Sequence, residues 1–263
     1  MKMVATKTLA ILFSRGAFGD CAKHAVLTAM EDDRVGKIKI YSSSIAELND
    51  PNWKCGCGID HGAQLKDSPN AHKLERIHVK DLTCSPEQLS SEVDLRGVDA
   101  VISGIGNRQM FLGDRVAKAG TKNITILMKA NDIDRLVMMS SMGVDSDVSN
   151  DWPCMEWRKE GKFMGYLFNT LSRREYSDIV GAENEAYASG VNYLTIRPVG
   201  LGEQVKPAGR CYVQKKKFED VLGANMAKMD VGRFMVEEAL EPTFHKQAVV
   251  IGADPKDAYE PFS

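Results

Sequence analysis

No run in this chain approaches the eighteen or so consecutive apolar residues that a membrane-spanning helix needs. The opening stretch, Met1-Lys-Met-Val-Ala-Thr-Lys7, also lacks the apolar segment of a secretory leader. The expectation is a soluble protein of the cytoplasm or of another reducing compartment. Cysteine is too sparse and scattered for a disulfide scaffold: the six stand at 21, 55, 57, 84, 154 and 211, and reduced thiols are the reading. An excess of one charge is missing too. A formal net charge of -2 over 263 residues offers little to nucleic acid or to an anionic membrane, and Lys215-Lys-Lys217 reads as a solvated turn. The stretch from Cys55 and Cys57 to His61 has neither C-x-x-C spacing nor a second cysteine pair, so no metal site is expected. There is no internal repeat. What the chain has is 43% hydrophobic residues, ample for the core of one large α/β domain.

The stretch around which the rest is arranged is 7–30. An apolar run, Leu9-Ala-Ile-Leu-Phe13, meets Ser14-Arg15-Gly16-Ala17-Phe18-Gly19. A helical pattern follows that would bury Cys21, Ala22, Ala25, Val26, Ala29 and Met30. Buried strand, glycine turn and helix form the front end of a dinucleotide-binding βαβ unit, where a pyrophosphate lies against backbone amides at a helix N-terminus. Gly16 and Gly19 supply the second and third glycines, whereas Phe13 stands where the tightest turn usually has the first. Asp20, beside the helix start, reads as a helix cap. The second strand, 37–41, ends in Ser42-Ser43-Ser44 in place of the carboxylate that grips a ribose 2′-hydroxyl in NAD-selective folds. With Arg15 in the turn, the local charge suits a 2′-phosphate, so NADP(H) is favoured over NAD(H).

Residues 45–72, rich in Gly, Pro, Asn and Asp, read as an insertion loop. A third strand spans 74–79 and a fourth 98–103, the latter ending in Gly104 and Gly106, which let backbone lie against a ligand. A helix over 113–130 presents Val116, Ala119, Asn123 and Leu127 on one face. The fifth strand, 135–141, ends in two hydroxyls, and helix 176–189 closes on Gly190 as its C-cap. Pro198 stops the sixth strand, 193–198, and 200–209 is a loop. An extra strand over 210–215, a helix 231–240 capped by Asp230 and a last strand 247–252 complete the chain. The fold class is α/β: a Rossmann-like doubly wound parallel sheet with helices on both faces, one domain over 1–263. Segments within 145–215 form a small substrate-side portion, and the apolar stripe in 163–171 packs in the core or walls a pocket. Ligands of such sheets bind beyond the strand carboxyl ends, where Gly16, Gly104, Asn107 and Ser141 should converge.

Taken in order, the glycine turn 14–19, Asp81-Leu82, Gly97-Val-Asp-Ala-Val-Ile-Ser103, Leu136-Val-Met-Met-Ser-Ser-Met-Gly143, Ala188-Ser-Gly-Val-Asn-Tyr-Leu-Thr-Ile-Arg-Pro198 and Asp230-Val-Gly-Arg-Phe234 resemble the atypical short-chain dehydrogenase/reductase superfamily. The likeness is to its NAD(P)H-binding, NmrA-like branch and covers about 7–252, apart from 45–72 and 145–175. Within the branch, the run from Arg197 to Tyr212 and Asp230-Val-Gly-Arg-Phe-Met235 are most similar to flavin reductase/biliverdin-IX-beta reductase proteins. The resemblance implies that Gly16, Ala17, Phe18 and Gly19, with Ser14, lie on the pyrophosphate. It implies Arg15 or Ser42, Ser43 and Ser44 near the adenosine phosphate, and Asp81 and Leu82 near the adenine. Gly104, Ile105, Gly106 and Asn107 would follow the cofactor backbone, Ser140 and Ser141 the nicotinamide and substrate, and Pro198, Val199, Gly200 and Leu201 the nicotinamide ring.

The wider superfamily uses Tyr-x-x-x-Lys, in which the ammonium makes the phenol a usable acid. Here the matching run is Tyr176-Ser-Asp-Ile-Val180, and valine supplies no charge. Ketone reduction by that route is not expected, and an epimerase or lyase meets the same obstacle. Reductases of the flavin/biliverdin type lack the pair as well, and need only donor and acceptor stacked in a water-poor pocket. The resulting expectation is an NADPH-dependent reductase of a planar conjugated acceptor such as a flavin, linear tetrapyrrole or quinone, with Ser141 and Tyr176 as catalytic candidates, monomeric or homodimeric. The alternative is a non-catalytic NmrA-like NADP(H)-binding redox sensor.

Overall fold

β1 (Lys7–Phe13) is buried along nearly its whole length, which is why its sequence is a continuous apolar run rather than an alternating one. The computed structural model describes residues 6–14, 16–43, 61–106, 115–142, 144, 173–202, 207–214 and 225–253. Around β1 are arranged α1 (Ala17–Glu31), β2 (Val35–Ser42), α2 (His61–Asp67), a 3-10 turn (Pro69–Lys73), β3 (Leu74–His78) and α3 (Pro86–Leu89). Then follow β4 (Ala100–Gly104), α4 (Ala117–Ala130), β5 (Arg135–Met139), α5 (Arg173–Ser189), β6 (Asn192–Pro198) and β7 (Gly200–Gly202). The chain continues through β8 (Tyr212–Val213), β9 (Asn225–Ala227), α6 (Lys228–Leu240) and β10 (Gln247–Gly252).

The main sheet has the order β3-β2-β1-β4-β5-β6-β10-β8. Each pairing is parallel except that of β8, which runs antiparallel to β10 at the edge. The order in which the chain adds strands reverses between β1 and β4, the switch point at which such sheets open a ligand crevice. Alternate residues of β1 serve two cores. Leu9, Ile11 and Phe13 face the side covered by α1 and α6, whereas Ala10 and Leu12 face the side covered by α4 and α5. Each fully buried Leu, Ile or Phe contributes roughly 1.5–3 kcal/mol, so both helical layers are anchored on this strand.

The turn after β1 is set by close packing. Gly16 is the N-cap of α1 at φ 101°, a conformation that favours glycine, and no side chain caps this helix start. A Cβ on Gly19 would lie 1.7 Å from the carbonyl oxygen of Ser14. Phe13, where a first glycine was the norm, is still strand: it pairs with Ser42 and Gly104, and its ring is fully buried on the α1 side. The ring therefore packs beneath the turn instead of filling it.

Several details depart from the sequence reading. Asp20 does not cap α1; it lies in the first turn, and its Oδ2 accepts a hydrogen bond from the Lys228 ammonium at 2.8 Å, with Lys23 at 3.7 Å from Oδ1. Asp230 likewise lies inside α6, which begins at Lys228 without a side-chain cap. Its carboxylate instead accepts the amides of Ala208 and Gly209 at 2.8 and 2.9 Å, and burial pushes its pKa above the ordinary carboxylate range. The stretch expected to be an insertion loop carries α2 and the 3-10 turn from residue 61 on. The stretch expected to be a loop after β6 begins as β7, which pairs in parallel with β9. Gly190 closes α5 at φ 78°, as expected. The described cysteines, Cys21, Cys84 and Cys211, are free thiols, and burial pushes those of Cys21 and Cys211 far above their usual pKa.

Replacing Gly19 by Ala should force the Ser14 carbonyl and the start of α1 apart, at a cost of about 1–3 kcal/mol. Urea unfolding measures it, and a midpoint equal to that of the parent protein would contradict the packing described.

Candidate functional site

The carboxyl ends of β1, β2, β4, β5 and β6 lie along one edge of the sheet, so residues 14, 43, 104–106, 141 and 198–201 form a single rim. At its centre the Ser14 hydroxyl bonds the Gly106 carbonyl and accepts the Gly106 amide at 2.9 Å, lacing the β1 and β4 turns together. Phe18 lies against the same turn, since a Cβ on Gly106 would meet its ring at 2.6 Å. No side chain caps the start of α1 among the described residues, and the amides of such a helix start attract an anion. Asp20, whose charge would oppose one, is neutralised by Lys228.

Beside this turn opens a cavity of about 520 Å³ lined by Ser14, Ser43, Lys80, Asp81, Leu82, Thr83, Arg115 and Val116. It has the size for a nucleoside. Asp81 and Leu82, expected near an adenine, are thus brought together with Ser14 and Ser43, whereas the Ser42 side chain is buried within β2. Asp81 is held by its own turn, its Oδ1 accepting from the amide and hydroxyl of Thr83, each at 2.7 Å. The cavity floor is set by Asn123, which donates to the carbonyls of Leu82 and Cys84. Cavity, close-packed glycine turn and uncapped helix start fit a dinucleotide.

At the other end of the rim, Ser141 Oγ and Tyr176 Oη lie 3.5 Å apart, so the two catalytic candidates do meet. Ser140 points the other way. Fully buried, it donates its hydroxyl to Glu183 Oε1, which also accepts Arg197 Nε at 2.9 Å, while Arg197 Nη2 bonds Oε2. One carboxylate therefore ties the end of β5, the end of β6 and α5 together, directly behind Ser141 and Pro198. The Met142 amide donates to the Pro198 carbonyl at 3.3 Å, and Val199 is held by Ile251 through its amide at 2.9 Å. Gly200 and Leu201 are held in register with Asn225 and Met226 through β7 and β9.

A second buried carboxylate links the two ends of the rim. Asp178, on the helix that carries Tyr176, accepts the amides of Ala117 and Lys118 at 2.9 and 3.2 Å. It thus caps α4 immediately after Arg115 and Val116 of the cavity. Sequence reasoning missed Lys80, Thr83, Arg115, Asp178, Glu183 and Arg197. Lys80 directly precedes Asp81, and Glu183 follows Tyr176 by two helical turns, a spacing that shares a face. Those were the available signals. Arg15, Ser44, Asn107, Cys55, Cys57, the 145–172 segment and Lys215 to Lys217 lie outside the described residues. Among the described residues no cluster of His, Cys, Asp and Glu could hold a metal, and no helix is long and apolar enough to cross a membrane.

Glu183→Gln removes the buried carboxylate paired with the Arg197 guanidinium, and should cost about 3–5 kcal/mol of stability. The double variant Glu183→Gln/Arg197→Met should regain part of that loss, because both halves of the buried pair are then removed together. Denaturant unfolding of the pair of variants tests the coupling; additive losses would refute it.

Among known families, the model described as NAD(P)H-binding matches residues 45–242. The match begins after the glycine turn, so it is independent of the turn's altered pattern. No curated protein sequence matches the chain. Among solved structures, a short-chain dehydrogenase/reductase from Veillonella parvula in complex with NADP is similar at 17% identity, with TM-score 0.63, over 96% of this chain and 97% of the other. A Rossmann-fold NAD(P)-binding family protein from Shigella flexneri has 15% identity and TM-score 0.57 over 98% and 99%. An oxidoreductase from Lactococcus lactis has 14% identity and TM-score 0.57 over 94% of each chain. At these identities the likeness establishes the Rossmann-like fold, and the family match adds the rest: the chain belongs to the NAD(P)H-binding family.

Proposed function

We propose that the protein is an NADPH-dependent reductase of a planar conjugated acceptor, a flavin, linear tetrapyrrole or quinone. The observation that carries this reading is the rim itself. A nucleoside-sized cavity and an uncapped α1 start occupy one end, and the Ser141 and Tyr176 hydroxyls meet at the other, with valine at the position where the wider superfamily has lysine. When bound, the reduced nicotinamide supplies a hydride.

The chain's own residues would do the remaining work. The amides of Ala17, Phe18 and Gly19 would hold the pyrophosphate. Leu82 and Val116 would flank the adenine, and the 198–201 backbone would pass beside the nicotinamide. Because Glu183 fixes β5, β6 and α5 at once, Ser141 and Tyr176 would sit at a set distance from that ring, and fixed distance is what direct hydride transfer demands. The accompanying proton would reach the acceptor from solvent or through the Ser141 and Tyr176 hydroxyls. Without a neighbouring ammonium to stabilise a phenolate, an acceptor that spreads the incoming charge over its own conjugated system suits this site better than a simple ketone. The reading takes a small molecule as the acceptor, and the near-neutral charge offers little attraction to nucleic acid or an anionic membrane. A cytoplasmic monomer or homodimer is the state proposed.

Fluorescence titration with NADPH and NADH, followed by a screen of flavins, tetrapyrroles and quinones for loss of the reduced coenzyme's near-ultraviolet absorbance, tests the reading. Turnover on at least one acceptor is expected. Ser141→Ala and Tyr176→Phe should each lower kcat by about a hundredfold while leaving coenzyme affinity unchanged. Tight coenzyme binding with no turnover on any acceptor would instead favour the NADP(H)-binding sensor.

A further inference from the structure

The cavity beside the glycine turn is lined by two cations, Lys80 and Arg115, for which the described residues provide no ion-pair partner. Other cationic side chains have partners: Lys39 donates to the carbonyls of Asp94 and Arg96, Lys118 faces Glu185, and Lys228 holds Asp20. Lys80 and Arg115 are both exposed. Both line the cavity, and among the described residues neither side chain makes an ion pair or a hydrogen bond.

Their placement is fixed by backbone. The Val79 amide donates to the Ser42 carbonyl at 3.0 Å, which sets Lys80 next to Ser43 at the end of β2. The Lys80 amide is held by Glu92 Oε2 at 2.7 Å. Arg115 is carried at the start of α4, the turn that Asp178 caps. Two carboxylates stand close by. Glu92 is committed to the Lys80 amide, and Asp81 shares one oxygen with the Thr83 amide and hydroxyl. Within the lining, two positive charges face the single negative charge of Asp81. Leu82 and Val116 give the same cavity an apolar wall suited to a flat base.

We infer that Lys80 and Arg115, beside Ser43, form the seat of the 2′-phosphate that distinguishes NADPH from NADH. The inference rests on the nucleotide-binding reading above and deepens it. Two cations lining one cavity recognise a phosphate dianion by charge-assisted hydrogen bonds, while a bare ribose 2′-hydroxyl gains little from them. Selectivity would then come from the β3 and α4 side of the cavity, independently of Arg15 in the glycine turn.

The test is equilibrium binding of NADPH, NADH, 2′,5′-ADP and 5′-AMP to the parent protein and to Lys80→Gln, Lys80→Arg and Arg115→Gln. Lys80→Gln and Arg115→Gln should each weaken NADPH and 2′,5′-ADP by about tenfold or more and leave NADH and 5′-AMP within about twofold. Lys80→Arg should keep most of the preference, and the preference should shrink with added salt. Unchanged NADPH affinity, or equal losses for NADPH and NADH, would overturn the inference while leaving the nucleotide site standing. A parent protein that binds NADH as well as NADPH would do the same. A parent protein that binds none of the four would overturn both.

Discussion

The geometry of the candidate catalytic end depends on one buried charge. Glu183 and Arg197 are both wholly enclosed, and taking such ions out of water costs several kcal/mol each before their attraction returns any of it. A pair of this kind is a poor way to gain stability and a good way to specify one arrangement. Arg197 extends from β6, Ser140 from β5 and Glu183 from α5, so three elements that adjoin the rim can satisfy their polar groups only in a single relative position. Ser141 and Pro198, the next residues along the two strands, inherit that position.

The nucleotide end is built differently, from steric exclusion and local neutralisation. Gly19 packs so tightly against Ser14 that α1 is pressed onto its preceding turn, while the Ser14 hydroxyl laces that turn to the one after β4. An acidic residue in the first turn of a phosphate-binding helix would normally repel its ligand. Lys228, reaching from α6 with an almost fully buried side chain, removes that objection. The tie also explains why α6 begins where it does: its first residue is needed at α1, so Asp230 sits one turn too deep to cap and turns to the amides of residues 208 and 209 instead.

The parallel sheet was legible from β1, β4, β5 and β10 because buried parallel strands are largely apolar runs, here with glycine or hydroxyl residues at or just past their carboxyl ends. The rim was legible for the same reason. Phe13 misled because a turn pattern says where a glycine is usual and not which way a side chain points; one residue of extra strand sends the ring into the core. Asp20 and Asp230 misled because capping is a local rule, and both carboxylates have partners far along the chain. Ser140 and Ser141 look alike in sequence, yet strand alternation turns one toward Glu183 and the other toward Tyr176. Arg115, Asp178 and Arg197 could be found only once folding brought them together, since each acts across a cavity or a helix contact, whereas Lys80 and Glu183 were hinted at by their spacing from Asp81 and Tyr176.

Asp178 caps a helix other than its own, and this has a mechanical result. A rotation of α5 must either break two amide hydrogen bonds onto a buried carboxylate or drag the start of α4 along with it. The residues before that start, Arg115 and Val116, would then be carried along with Tyr176, so this one carboxylate couples a movement at the nucleotide end of the rim to one at the other end.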